Sequence, residues 1–149
     1  MYYAPMLSLL KSYEKKFSKE KNLRILRVYS EEMVNIHLGQ GWDIFWHNSS
    51  NITHIPTETQ YLQMTAHKTG VLARMAARLT CEIIDLPEIV QKKFATFCEK
   101  IGVAFQIHDD ILNLIGQEYV ATKGYYGEDI FEVREGNLAV FLTICHRVR

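Results

Sequence analysis

Proline and cysteine are scarce, neither sign of charge dominates, and long apolar runs are missing; each shortage removes a class of protein. Only three prolines and eight glycines interrupt 149 residues. They fall between long stretches of helical period, so the chain reads as nearly all helix. Its three cysteines, Cys81, Cys98 and Cys145, are odd in number and widely spaced, which fits neither a disulfide framework nor a CxxC-type zinc site. A reducing compartment, and hence a cytoplasmic location, is expected. Seventeen basic against seventeen acidic side chains leave no formal net charge, which argues against nucleic acid as the main partner, because phosphate backbones select a basic surface. No basic segment precedes the short apolar run in "MYYAPMLSLLKSYEKK", and no apolar run reaches about 18 residues. Neither a secretion signal nor a membrane span is expected, and the sequons at Asn48 and Asn51 read as accidental.

What remains is an ordinary globular composition, 48% hydrophobic, at a length that buries about 68–70% of its unfolded surface. A short helix is expected over 4–14, followed by a charged, solvated run, and a second helix over about 22–47 that ends at "HNSSN". Thr57 and Gln60 have capping-box spacing ahead of an amphipathic run, so a third helix should start there and continue to about 84. Asp85 and Pro87 mark the start of a fourth, over 87–115, with Gly116 at its exit. A loop over 117–129 and a last helix from about 136 complete an all-α, antiparallel helical bundle.

The fourth helix carries the main anomaly. In "FQIHDDILNLIG", Gln106, Asp109, Asp110 and Asn113 fall at i, i+3, i+4 and i+7 and so share one face. Apolar residues flank that face on both sides, the pattern of a buried helix. Burying an unpaired carboxylate costs several kcal/mol, so the pair must meet either solvent or a cation. Carboxylates suit hard Mg²⁺, which bridges to substrate phosphates.

The third helix places Lys68, in "KTG", on the same face as Tyr61, Met64, Leu72, Met75 and Leu79. There it either snorkels or holds an anion over an apolar cavity. Arg74 and Arg78 read as a solvated face. In "HLGQGWDIFW", Gln40 and Asp43 share a face amid aromatics, as a hydrogen-bonded core amide or as part of a site. The "GQG" lacks the context of a phosphate loop and is expected to permit close helix approach.

In this order "LGQGWDIFW", "PTETQYLQM", "HKTGVLARMA", "FQIHDDILNL" and "KGYYGEDI" resemble the trans-type polyprenyl diphosphate synthases, geranylgeranyl diphosphate synthases in particular. The resemblance implies the isoprenoid synthase fold and a magnesium-dependent condensation of isopentenyl diphosphate with an allylic diphosphate. Asp109, Asp110 and Asn113 match the second aspartate-rich motif that binds Mg²⁺. Lys68 matches the lysine that holds the allylic diphosphate, and Thr69 faces the developing cation. Gln106 and Phe105 match cavity residues near the reacting allyl group, Gln40 and Asp43 a pair near the metals, and Lys123 a loop lysine on the same diphosphate. Arg134 aligns with a second loop cation, unless "EGN" places Asn137 there. His37 matches a residue at the closed end of the product cavity, or else is a satisfied buried histidine.

The family's earlier aspartate-rich motif has no counterpart, since no adjacent aspartates precede Asp109. The domain is therefore expected to be single, partial and truncated, with little synthase activity alone. Two roles fit: part of a synthase, or a non-catalytic half-domain docking on a full-length synthase. A homodimer is a further implication of the resemblance.

Overall fold

The computed structural model describes Met6, Leu7, Lys11, residues 16–47 and residues 56–115, without the side chains of 47 and 113–115. The last expected helix, the loop over 117–129 and most of the helix over 4–14 lie outside these residues.

Ser18 starts the first long helix, α1 (Lys19–His47), by accepting the Lys21 N–H at 3.2 Å. Serine is favoured here because its oxygen satisfies a donor that the first turn leaves unpaired. The capping box at Thr57 forms in both directions: its hydroxyl accepts from Gln60 N–H at 3.3 Å and its own N–H donates to Gln60 Oε1 at 2.8 Å. From it run α2 (Glu58–Thr65), a π turn (Ala66–Gly70) and α3 (Val71–Ile83). The expected helix to 84 therefore exists, but with one widened turn that periodicity does not reveal. Widened turns of this kind concentrate at functional sites.

The chain reverses at Asp85, whose φ of 54° is left-handed, a conformation that Asp tolerates better than most side chains. Its carboxylate pairs with Lys21 at 2.6 Å and Arg24 at 3.2 Å, tying the turn to α1. Helix α4 (Glu88–Ile115) follows. Among the described residues none of these helices is long and apolar enough to cross a membrane.

Contacts along the helices fix their directions. On α1, Arg24, Glu32 and Asp43 meet Glu82, Arg74 and Lys68 in turn. On α4, Glu99, Gln106 and Asp110 meet Arg74, Thr69 and Tyr61. Both ladders run antiparallel, so α2 to α3 is the central rod and α1 and α4 flank it. The core lies mainly between α1 and the rod. Ile25, Tyr29, Met33 and Ile36 recur at helical spacing and pack with Val71, against which Met75, Leu79 and Ile83 rest.

Close approach depends on two glycines. A Cβ on Gly39 would lie 2.4 Å from the Lys68 nitrogen and 2.5 Å from the His67 carbonyl carbon. On Gly102 it would lie 2.8 Å from Gly70 Cα and 3.3 Å from the Thr69 oxygen. The π turn is thus held between two helices at backbone distance. This bears out the reading of "GQG" for Gly39, whereas Gly41 faces open space.

Three expectations are corrected. Arg74 and Arg78 are not a solvated face: both bind Glu32, which is fully buried, at 2.6 Å. Arg74 also binds Glu99, and Arg78 binds Glu31 at 2.8 Å. Leu72 is exposed and Val71 is fully buried, because a rod with a neighbour on either side has two inner faces instead of one stripe. Helix α4 is not buried all round: Phe94, Phe97, Ile101 and Phe105 are exposed.

Candidate functional site

The π turn places Lys68 and Thr69 beside each other in the widened part of the rod, and each meets a different neighbour. Lys68 Nζ donates to Asp43 Oδ2 on α1 at 2.6 Å. Thr69 donates its hydroxyl to Gln106 Oε1 on α4 at 2.7 Å. The Gln106 amide then donates to Asp110 Oδ1 at 2.8 Å, and the Tyr61 hydroxyl donates to Asp110 Oδ2. Gln40 reaches Asp43 Oδ2 only at 3.4 Å, a weak bond on an exposed side chain. An edge contact between the Trp42 and His67 rings, 5.6 Å between centroids, seats α1 against the turn.

Among the described residues this is an acidic site around the Lys68 ammonium. Burial pushes the Asp110 carboxyl above its ordinary value, and the neighbouring Asp109 charge adds to the rise. Hydrogen bonds from Tyr61 and Gln106, together with the Lys68 charge, oppose it without cancelling it. Asp110 is thus partly buried, bonded to Tyr61 and Gln106 and within reach of the Lys68 charge, and Asp109, also partly buried, lies next to it in the chain.

The donor chemistry suits magnesium in one manner only. Among the described residues no three His, Cys, Asp or Glu side chains are grouped to hold a metal alone. Mg²⁺ rarely needs such a cage, since it keeps waters and shares one or two carboxylates with substrate phosphates. Adjacent aspartates, one of them within reach of a lysine charge, fit that arrangement.

The structure brings together Lys68, Thr69, Gln106, Asp110 and Asp43. Gln40 sits at the margin. Phe105 is 64% exposed, so the described helices build no apolar wall around it. His37 is satisfied but exposed instead of buried, its Nδ1 2.6 Å from the Met33 carbonyl oxygen. Lys123, Arg134 and the side chain of Asn113 lie outside the described residues. A separate cleft of about 1030 Å³ opens farther toward the start of α1, lined by Arg24, Glu31, Glu32, Arg74 and Arg78. Those arginines are already engaged with carboxylates.

Sequence reasoning missed Tyr61, which it assigned to apolar packing. The available signal was its place seven residues before Lys68, combined with a phenol that normally finds a partner when partly buried. It also missed Glu32, whose only mark was a charge inside the apolar stripe of α1.

Comparison with known proteins identifies the family. The chain is 40% identical over 109 residues to geranylgeranyl pyrophosphate synthase dpmaD of Metarhizium anisopliae, covering 73% of this chain and 30% of that protein. It is 42% identical over 105 residues to geranylgeranyl pyrophosphate synthase dpasD of Apiospora sacchari, covering 70% and 29%. Against geranylgeranyl pyrophosphate synthase of Eremothecium gossypii it is 36% identical over 108 residues, covering 72% and 32%. The matched part thus spans about 30% of the length of these relatives. The family model described as polyprenyl synthetase matches residues 1–144. With the family model spanning nearly all of its residues, the chain belongs to the polyprenyl synthetase family.

Proposed function

We propose that this chain supplies the allylic-diphosphate side of a prenyl-transfer site, of the kind that condenses isopentenyl diphosphate with an allylic diphosphate to a geranylgeranyl-type product. The single observation that supports the reading is that Lys68 and Thr69, adjacent on the π turn, bond Asp43 of α1 and Gln106 of α4, with Gln106 in turn bonding Asp110. Lys68 leaves Asp43 for the diphosphate oxygens, an exchange of one anion for another at the same ammonium. Thr69 and Gln106 turn their oxygens toward positive charge that develops on the allyl group. By the resemblance, Asp109, Asp110, Asn113 and Asp43 would hold magnesium ions that neutralise the diphosphate as it departs. By the resemblance, Lys123 and Arg134 would bind the same anion. No nucleophilic serine or cysteine is needed.

One acidic stripe neutralises less charge than two facing ones, and no second aspartate pair precedes Asp109. Little or no product is therefore expected from the chain alone. Incubation with isopentenyl diphosphate, farnesyl diphosphate and Mg²⁺ tests this: robust prenyl transfer refutes the one-stripe argument. Calorimetric titration with Mg²⁺ and inorganic pyrophosphate tests the site itself, and the absence of binding removes the reading.

The second reading is a non-catalytic half-domain that docks on a full-length synthase. The exposed run Val90, Phe94, Phe97, Ile101 and Phe105 along α4 favours it. Gel filtration with a full-length family member decides: a stable mixed complex with altered product length supports docking, and no complex rejects it.

A further inference from the structure

We infer that Tyr61 is a positioning residue for Asp110, orienting the carboxylate so that it and Lys68 engage one metal–diphosphate ligand. The inference rests on the reading of the site just given. Three observations carry it. First, Tyr61 donates its hydroxyl to Asp110 Oδ2 while the Gln106 amide donates to Oδ1, at 2.8 Å. Both oxygens of a half-buried carboxylate are thus held from two different helices, which leaves the group one orientation. Secondly, Tyr61 stands on α2 seven residues before Lys68, so the phenol and the ammonium belong to one rod. Any displacement of the turn that carries Lys68 also moves the group that aims Asp110. Thirdly, Gln106 is itself fixed by the Thr69 hydroxyl at 2.7 Å, so the second clamp on Asp110 also returns to the π turn. The residues that orient a metal-binding carboxylate commonly set its affinity, and their loss typically costs about 10–100-fold.

The test uses the full chain, Mn²⁺ read by electron paramagnetic resonance, and inorganic pyrophosphate. Tyr61→Phe retains the ring and its packing and is expected to weaken Mn²⁺–pyrophosphate binding about tenfold. Asp110→Asn is expected to weaken it more. The double variant Tyr61→Phe/Asp110→Asn is expected to bind no more weakly than Asp110→Asn alone, since a residue that acts through Asp110 has nothing to add once that carboxylate is gone. A merely structural tyrosine instead lowers the melting temperature and leaves the affinity unchanged, or its loss adds to that of Asp110→Asn; either result overturns the inference. In chains that keep Tyr61 and are labelled with ¹³Cζ-tyrosine, one resonance is expected to differ between Asp110→Asn and the unsubstituted chain and also to move when Mg²⁺–pyrophosphate is added to the latter. This measurement does not need the Tyr61→Phe protein to fold, and failure of any tyrosine to respond to both also overturns the inference. If Asp110→Asn loses binding while Tyr61→Phe does not, only the role of Tyr61 fails. If the unsubstituted chain binds no Mn²⁺–pyrophosphate, the proposed function fails with it.

Discussion

Asp110 keeps a charge where burial opposes it, so its ionised form weakens the fold. Its folded pKa is raised above the ordinary 3.8. Stability is therefore complete below that ordinary value and is lost as pH rises through the raised one. Asp110→Asn is expected to raise the melting temperature at pH 7 by about 3 °C, a gain that shrinks at pH 3.5, while diphosphate binding falls. Thermal denaturation at the two pH values checks the sign. Thr65 presents a simpler liability: its side chain is fully buried, and among the described residues its hydroxyl has no hydrogen-bond partner. Thr65→Val is expected to stabilise the chain by about 1 kcal/mol in urea denaturation. The two glycines of "GQG" should respond oppositely. Gly41→Ala gains about 0.5–1 kcal/mol of helix stability in open space, whereas Gly39→Ala forces the backbones apart and loses about 1–3 kcal/mol.

How much of the site was legible at this scale depended on chemistry that stands out from its surroundings. Adjacent aspartates in an apolar helix, and a lysine on an apolar face, contradict their neighbours and so can be seen. Tyr61 contradicts nothing: half of a tyrosine is apolar, and only the fold reveals what its oxygen meets.

Among the elements, α1 and α3 are joined by charges that the pattern of the sequence conceals. Burial pushes the Glu32 carboxyl up, but hydrogen bonds from Arg74 and Arg78 and the Arg74 charge outweigh it, so the group stays below its ordinary 4.5. Glu31 is held low in the same way, by Arg78 and then Arg27. Folded pKa values below the unfolded ones mean stability that is present above about pH 4.5 and lost as pH falls through the depressed values. Glu32→Ala is expected to cost about 3 kcal/mol, the lower end for breaking a buried pair, because both arginines keep another carboxylate. Urea midpoints at pH 7 and pH 3.5 check this, with the difference between variant and parent shrinking in acid. Helix existence and the cap at Thr57 were readable because they depend on local spacing. The π turn and the arginine network were not, since they are decided by which helices lie alongside.

Taken whole, the molecule exposes apolar side chains along α4 that no described residue covers; Phe97 is 59% exposed and Ile101 52% exposed. Such a face drives association. Phe97→Glu combined with Ile101→Glu is expected to reduce self-association and dye binding by anilinonaphthalene sulfonate several-fold with little change in melting temperature. Sedimentation velocity is the deciding measurement. The antiparallel helical arrangement followed from long helices and short breaks, but the degree to which α4 is covered depends on surfaces that composition does not encode.

The short reversal at Asp85 carries one more consequence, for the order of assembly. Helices α3 and α4 are neighbours in sequence as well as in space, so closing that hairpin sacrifices little chain entropy, and local pairs of this kind form early. Gly102→Ala should therefore slow folding, and Ile36→Val, across the longer closure to α1, should chiefly speed unfolding. On that route Thr69, Gln106 and Asp110 find each other first, and Lys68 waits for Asp43 until the first helix docks.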